Sequence, residues 1–261
     1  MSETTEQAQT SIAPTATTVH SVPVSQAAQP VQLVPAVDAP ATASEPRCRE
    51  IEAPELGDRV LLAIDTAIGT GVAVGARGRV VEVSSDDPRG HAEAIGVLLA
   101  EVFRRSGVSP AEVTGVVAGI GPGPFTGLRV GIAAAHAFAV ARRAPLLPVQ
   151  GHEAVALDML DGASSGVRVV QDARRRELFV TEFSGLDWAG IPERAAGPGL
   201  VARAAYEAVP NEVWPASIPA ASLVRLAARR LAAGREFEPD RAVYLRAPDV
   251  KQPGAPKRVS S

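Results

Sequence analysis

VTGVVAGIGPGPFTGLRVG, residues 113–131, decides how the chain is read. Its first half is a short apolar run of strand length, and its second half leads into alanine-rich sequence. The spacing predicts a strand, a glycine-rich loop and then a helix over about 127–143. A strand feeding a helix in this way is the building block of an α/β layer. Glycine loops before helices often cradle phosphate, but this one lacks the usual patterns. A phosphate loop ends in Gly-Lys-Ser/Thr, and here Leu128 follows Gly127; the dinucleotide fingerprint needs glycine where Thr126 stands. Pro122 and Pro124 stiffen the approach and carry no N–H. What remains is a helix N-terminus with Thr126 as its cap, a generic anion site at most. The favoured reading is a rigid strand-to-helix turn.

Upstream, RVLLAID (Arg59–Asp65) is a compact apolar run ending on an acid, as a buried strand does. TGVAVGARGRVVEVS then predicts two short strands about a turn at Gly75–Gly78. HAEAIGVLLAEVFRRSG places Ile95, Leu98, Leu99, Val102 and Phe103 on one helical face and stops at Gly107. Asp65 and Thr66, at the carboxyl end of a strand and before a glycine-bearing hairpin, admit two readings. One is a grip on Mg²⁺ and phosphate; the other is an Asx-type turn closed on the backbone. His91 has no metal-ligating companion one turn on, because that position is Ile95. No metal centre and no nucleophilic triad is expected, and no catalytic residue is assigned.

Downstream, VRVVQDARRRELFVTEF repeats the strand–acid–turn–strand pattern a hundred residues later, a hint of a duplicated architecture. Arg174–Arg176 reads as a solvated turn or as a contact for RNA or a partner. A helix is predicted near 221–233, with Leu223, Ala227 and Leu231 on one side. Residues 1–56, rich in Ser, Thr, Ala, Gln and Pro, are expected to be a disordered tail. The formal net charge of −3 gives the chain no general pull on nucleic acid, so any RNA needs its main surface elsewhere. Cys48 is the single cysteine, which excludes an internal disulfide. No apolar run approaches bilayer length and no secretory signal is visible, so a cytoplasmic protein without membrane contact is expected.

Taken in order, these stretches resemble the TsaB (YeaZ) family, a subunit of the bacterial machinery that makes threonylcarbamoyladenosine on tRNA. LLAIDTAIGTGVAV is similar to the family's opening strand and turn, and His91 stands where its first helix carries a histidine. GPGPFTGLRVG is similar to the family's hallmark loop, carried here by Gly121, Gly123, Phe125, Thr126, Gly127 and Arg129. Pro124 departs from it, replacing a serine. DARRRELFVTEF and YLRAPDVK resemble the second-lobe segment and the usual ending. The resemblance implies an actin-like ATPase fold of two ribonuclease-H-like lobes, over residues 57–150 and 151–250, the second shortened, with a flexible tail at 251–261. It implies a non-catalytic scaffold that pairs with a TsaD-type catalytic subunit, with a TsaE-type ATPase joining and tRNA met indirectly through the complex. Cofactors are expected on the partners, ATP and metal alike, and none on this chain; Asp65 and Thr66 would be a vestigial nucleotide site. The implied partner face holds His91, Ile95, Leu98, Gly131 and Ala135, and can also pair with its own copy as a homodimer. The alternative is an enzyme, metallopeptidase-like or an ATP-dependent phosphotransferase.

Overall fold

The computed structural model describes residues 46–86, 90–162 and 165–246. Of the tail expected at 1–56, residues 1–45 lie outside the described residues, as does the tail expected at 251–261. Among the described residues, ten strands and four α-helices follow in chain order. The first part comprises β1 (Arg47–Glu52), β2 (Leu61–Asp65), β3 (Thr70–Ala76), β4 (Arg79–Ser85), α1 (His91–Ser106), β5 (Gly115–Gly119), α2 (Phe125–Arg142) and β6 (Leu146–Val149). The second comprises α3 (Gly151–Leu160), β7 (Val167–Asp172), β8 (Glu177–Leu186), β9 (Pro192–Ala202), β10 (Glu212–Val213) and α4 (Ala220–Ala232).

The first sheet has the order β1-β4-β3-β2-β5-β6. β1 to β2 pair antiparallel through this order, and β5 and β6 add parallel to β2. The β3–β4 hairpin closes through Arg77 and Gly78, both at positive φ as a two-residue hairpin loop requires. Both faces of the central strands β2, β3 and β5 are covered, which is why these strands are almost continuously apolar. Leu62, Ile64, Val72, Val74, Val116 and Ala118 face α1 and α2. The alternate residues Leu61, Ala63, Ala73 and Val117 face the layer of α3 and α4. α4 lies late in the chain yet packs on this first sheet, and α3 bridges α4 to the second sheet.

The second sheet, β9-β8-β7-β10, repeats the logic of β4-β3-β2-β5: three antiparallel strands and then a parallel one. The duplication suggested by the repeated strand–acid–turn pattern is therefore present, in an α/β fold of two ribonuclease-H-like lobes. The shortening has a location. A three-residue turn at Arg203–Ala205 stands where the first lobe has α1, and β10 has only two residues.

One expectation is corrected. Residues 47–56 are not part of a tail: β1 forms the edge of the first sheet, and Pro54–Leu56 make a helical turn. RCREIE is polar because it is an exposed edge, and ladder bonds to β4 order it rather than apolar burial. Its Arg49 pairs with Glu82 at 3.0 Å, and Glu82 also accepts from the Ala221 N–H, capping α4. Helix α3 lies in a stretch for which the sequence predicts no element. It is buried on nearly every side, so it shows no amphipathic stripe.

Candidate functional site

The residues singled out by sequence do come together, at the carboxyl ends of β2 and β5. Asp65 ends β2 and is 1% exposed. Its Oδ1 accepts from the Ala67 N–H at 2.7 Å, closing an Asx-type turn. Its Oδ2 has no partner among the described residues and lies against β5, where any side chain at Gly119 would overlap it. Burial pushes the Asp65 carboxyl up to about 7, and the Ala67 N–H only partly opposes this.

Thr66, equally buried, holds the hallmark helix. Its hydroxyl donates to the Gly127 carbonyl at 2.6 Å and accepts from the Gly131 N–H at 3.0 Å. Those two groups pair with each other in an ordinary helix, so the hydroxyl stands within the i to i−4 ladder of α2. A Cβ at Gly131 would lie 2.3 Å from this hydroxyl, and one at Gly127 would lie 2.7 Å from the Thr66 carbonyl. The glycine spacing is thus a docking face for this chain's own strand, not for a partner. Leu98, Gly131 and Ala135 are buried in the same way, and His91 and Ile95 are half-buried. These five are the residues expected on the partner face. Of the two residues weighed as a nucleotide grip, Asp65 is buried on the Ala67 N–H and against Gly119, and Thr66 is buried on α2.

Thr126 is not the cap: α2 starts at Phe125, and Pro124 occupies the N-cap position without a side-chain bond. The other hallmark residues anchor neighbouring segments. The Arg129 guanidinium lies 3.7 Å over the Phe125 ring, and its Nε donates to the Tyr244 hydroxyl at 3.2 Å. Phe125 and Tyr244 rings meet at 4.8 Å. The Gly121 carbonyl accepts from Gly151 at the start of α3. The loop therefore joins β5, α2, α3 and the C-terminal segment.

His91 Nδ1 pairs with the Thr70 hydroxyl at 2.9 Å at the mouth of a cavity of about 550 Å³ between the lobes. Gln171, Arg174 and Trp214 line its far wall. Behind Gln171, His152 bonds Gln171 Oε1 at 2.9 Å and the Thr181 hydroxyl at 2.7 Å. Burial pulls His152 down to about 4, which keeps it neutral. Sequence spacing missed this network, whose members are far apart along the chain. It also missed Glu153, 3% exposed and held by Arg194 and Arg230 at 2.6 Å each. Among the described residues there is no group of three or more His, Cys, Asp or Glu placed to hold a metal. No helix there is long and apolar enough to cross a membrane.

The Asp65 carboxyl makes stability pH-dependent. Between its unfolded value near 4 and its folded value near 7, the native state binds more protons than the unfolded chain. Stability therefore falls as pH rises through this window, by about 4 kcal/mol in total. Asp65→Asn removes this slope. Its melting temperature should match wild type near pH 4 and exceed it at pH 8; equal pH profiles would refute the assignment.

The sequence model of the family described as "TsaD: tRNA N6-adenosine threonylcarbamoyltransferase" matches residues 83–221, more than half of the chain. An uncharacterized protein of Mycobacterium tuberculosis is 32% identical over 206 residues, covering 73% of this chain and 93% of that protein. The tRNA threonylcarbamoyladenosine biosynthesis protein TsaB of Escherichia coli is 32% identical over 129 residues, 47% of this chain and 54% of TsaB. A Pseudomonas aeruginosa crystal structure, of a protein with similarity to peptidase YEAZ, superposes with a TM-score of 0.63 at 25% identity. It covers 72% of this chain and all of that one. With the duplicated lobes and the strand–loop–helix joint at Thr66, these matches lead to one conclusion: the chain belongs to the TsaB (YeaZ) family.

Proposed function

We propose that this chain is a scaffold and activator subunit in the making of threonylcarbamoyladenosine on tRNA, acting by pairing with a TsaD-type catalytic subunit. Membership in the TsaB family carries the pathway. The observation that carries the pairing is the outer face of α1 and α2. Val97 is 63% exposed and Val140 76%, among exposed small residues Gly96, Ala100, Ala133 and Ala137. Large exposed aliphatics in a setting of small side chains suit close helix-on-helix packing. This face lies on the opposite side of the helices from the glycines that dock on Thr66. A homodimer through it would compete with the catalytic partner. ATP, metal and a TsaE-type ATPase belong, on this reading, to the partner side of the assembly.

The enzyme alternative finds less support, since the Thr66 hydroxyl is held by α2 and the Asp65 oxygens are buried, Oδ1 on the Ala67 N–H and Oδ2 against Gly119 of β5. The test is co-elution of the Val97→Glu/Val140→Glu variant with the cognate TsaD-type subunit. A carboxylate buried at the interface without a partner costs about 3–5 kcal/mol, so binding should weaken at least a hundredfold while the variant alone melts like wild type. Unchanged co-elution would remove this face from the interface.

A further inference from the structure

Gln150 stands between β6 and α3, at the N-cap position of the helix. Its side chain makes no capping bond there, so the carboxamide is directed elsewhere. The residue is 4% exposed, and its Oε1 is buried without a hydrogen-bond partner among the described residues. A buried carboxamide oxygen left unbonded is costly and rare, because it has given up water and gained no donor in return. Gln150 also lines a cavity, where the donor of a ligand would meet that oxygen.

The cavity holds about 440 Å³, a size that takes small molecules. Its walls come from the end of β5, the start of α3 and the C-terminal segment at 238–245. That segment is pinned by its backbone: the Glu238 N–H donates to the Pro148 carbonyl at 3.2 Å, and the Val243 N–H to the Ile120 carbonyl at 2.8 Å. Beside Gln150, the charged lining residues are Glu238 and Arg241. Arg194 holds Glu238 at 2.8 Å, which fixes the carboxylate and leaves further lone pairs on it. Arg241 is exposed and forms no ion pair among the described residues. Ile120, Pro198 and Leu245 supply apolar surface.

One carboxylate, one guanidinium and one unbonded carboxamide beside apolar side chains are complementary to a small zwitterion. A phosphate or a dicarboxylate would meet Glu238 with like charge, and a diamine would meet Arg241 in the same way. We propose that this cavity binds a free α-amino acid with a small aliphatic or hydroxylated side chain. Its ammonium lies on Glu238 and Gln150 Oε1, and its carboxylate on Arg241. Occupancy would tie the C-terminal segment more firmly to the hallmark loop, whose Phe125 and Arg129 hold Tyr244. The site goes beyond the scaffold reading and does not depend on it.

The full chain is titrated with L-valine, L-threonine, L-valinamide and N-acetyl-L-valine, and binding is followed by ligand-observed NMR and by melting. L-valine or L-threonine at ~10 mM should raise the melting temperature by about 5 °C, as a ligand well above its dissociation constant does. Valinamide lacks the carboxylate and N-acetylvaline the ammonium, so each should bind about tenfold more weakly or worse. Arg241→Gln should weaken L-valine binding about tenfold while melting like wild type, since the side chain is exposed. Gln150→Leu replaces an unbonded buried carboxamide with an apolar group, so it should melt at or above wild type yet bind about tenfold more weakly. Absence of binding by both amino acids at ~10 mM overturns the proposal. So does N-acetylvaline binding as tightly as valine, and so does unchanged binding in Arg241→Gln, which would place the ligand elsewhere. Should Gln150→Leu not fold, Arg241→Gln and the two analogues still decide between these outcomes. The chain is used alone, so neither result bears on the scaffold reading.

Discussion

Glu153→Ala should melt about 10 °C below wild type, following a stability loss of about 3–5 kcal/mol. Glu153 lies between α3, β9 and α4, with Arg194 on one carboxylate oxygen and Arg230 on the other. Arg194 reaches on to Glu238 at 2.8 Å, which ties the C-terminal segment to the same cluster. Removing the carboxylate leaves the buried Arg230 guanidinium without its ion-pair partner and Arg194 with Glu238 alone. Arg230 is 8% exposed and cannot turn to water without opening the helix layer. The matched control is Glu50→Ala, whose partner Arg79 sits in an exposed pair at 3.0 Å. Such pairs contribute about 0–1 kcal/mol, so this variant should melt within a few degrees of wild type. Equal losses in both variants would mean the buried cluster has no special weight.

Thr66→Val should lose about 2–3 kcal/mol, although the substitution preserves shape and adds an apolar group. The hydroxyl serves the Gly127 carbonyl and the Gly131 N–H together, and valine leaves both without it. Gly131→Ala approaches the same joint from the helix side. Alanine gains about 1 kcal/mol of helix propensity over glycine, yet its Cβ would press into the Thr66 hydroxyl, and overpacking costs about 1–3 kcal/mol. A net loss is therefore expected in urea unfolding. The two substitutions should couple by about 1 kcal/mol or more in a double-mutant cycle, because they act on one contact. Additive losses would show that strand and helix are not joined there.

Much of the fold was legible because local chemistry and global packing agree. The apolar runs at Leu61–Asp65 and Gly115–Gly119, the stripe from Ile95 to Phe103 and the Arg77–Gly78 turn each state their element without tertiary help. β1 was not legible, since an exposed edge strand held by ladder bonds looks like any polar tail. α3 was hidden for the opposite reason: burial all round erases the periodicity that reveals a helix. At the site, the sequence singled out residues that meet at one joint, but not what each of them touches. Glycines at intervals of four announce a close approach but cannot say what approaches. Here it is Thr66, sixty-one residues upstream of Gly127. The Glu153 cluster and the His152–Gln171–Thr181 network assemble across long separations, where no spacing rule reaches.

On the proposed reading, this chain assists a catalytic partner through the α1–α2 face. The most direct measurement is threonylcarbamoyladenosine formation on tRNA by the cognate TsaD-type subunit with its other components, with and without this chain. Omitting the chain should abolish product, wild type should restore it, and the Val97→Glu/Val140→Glu variant should not. Full product formation without the chain, or full rescue by that variant, would contradict it.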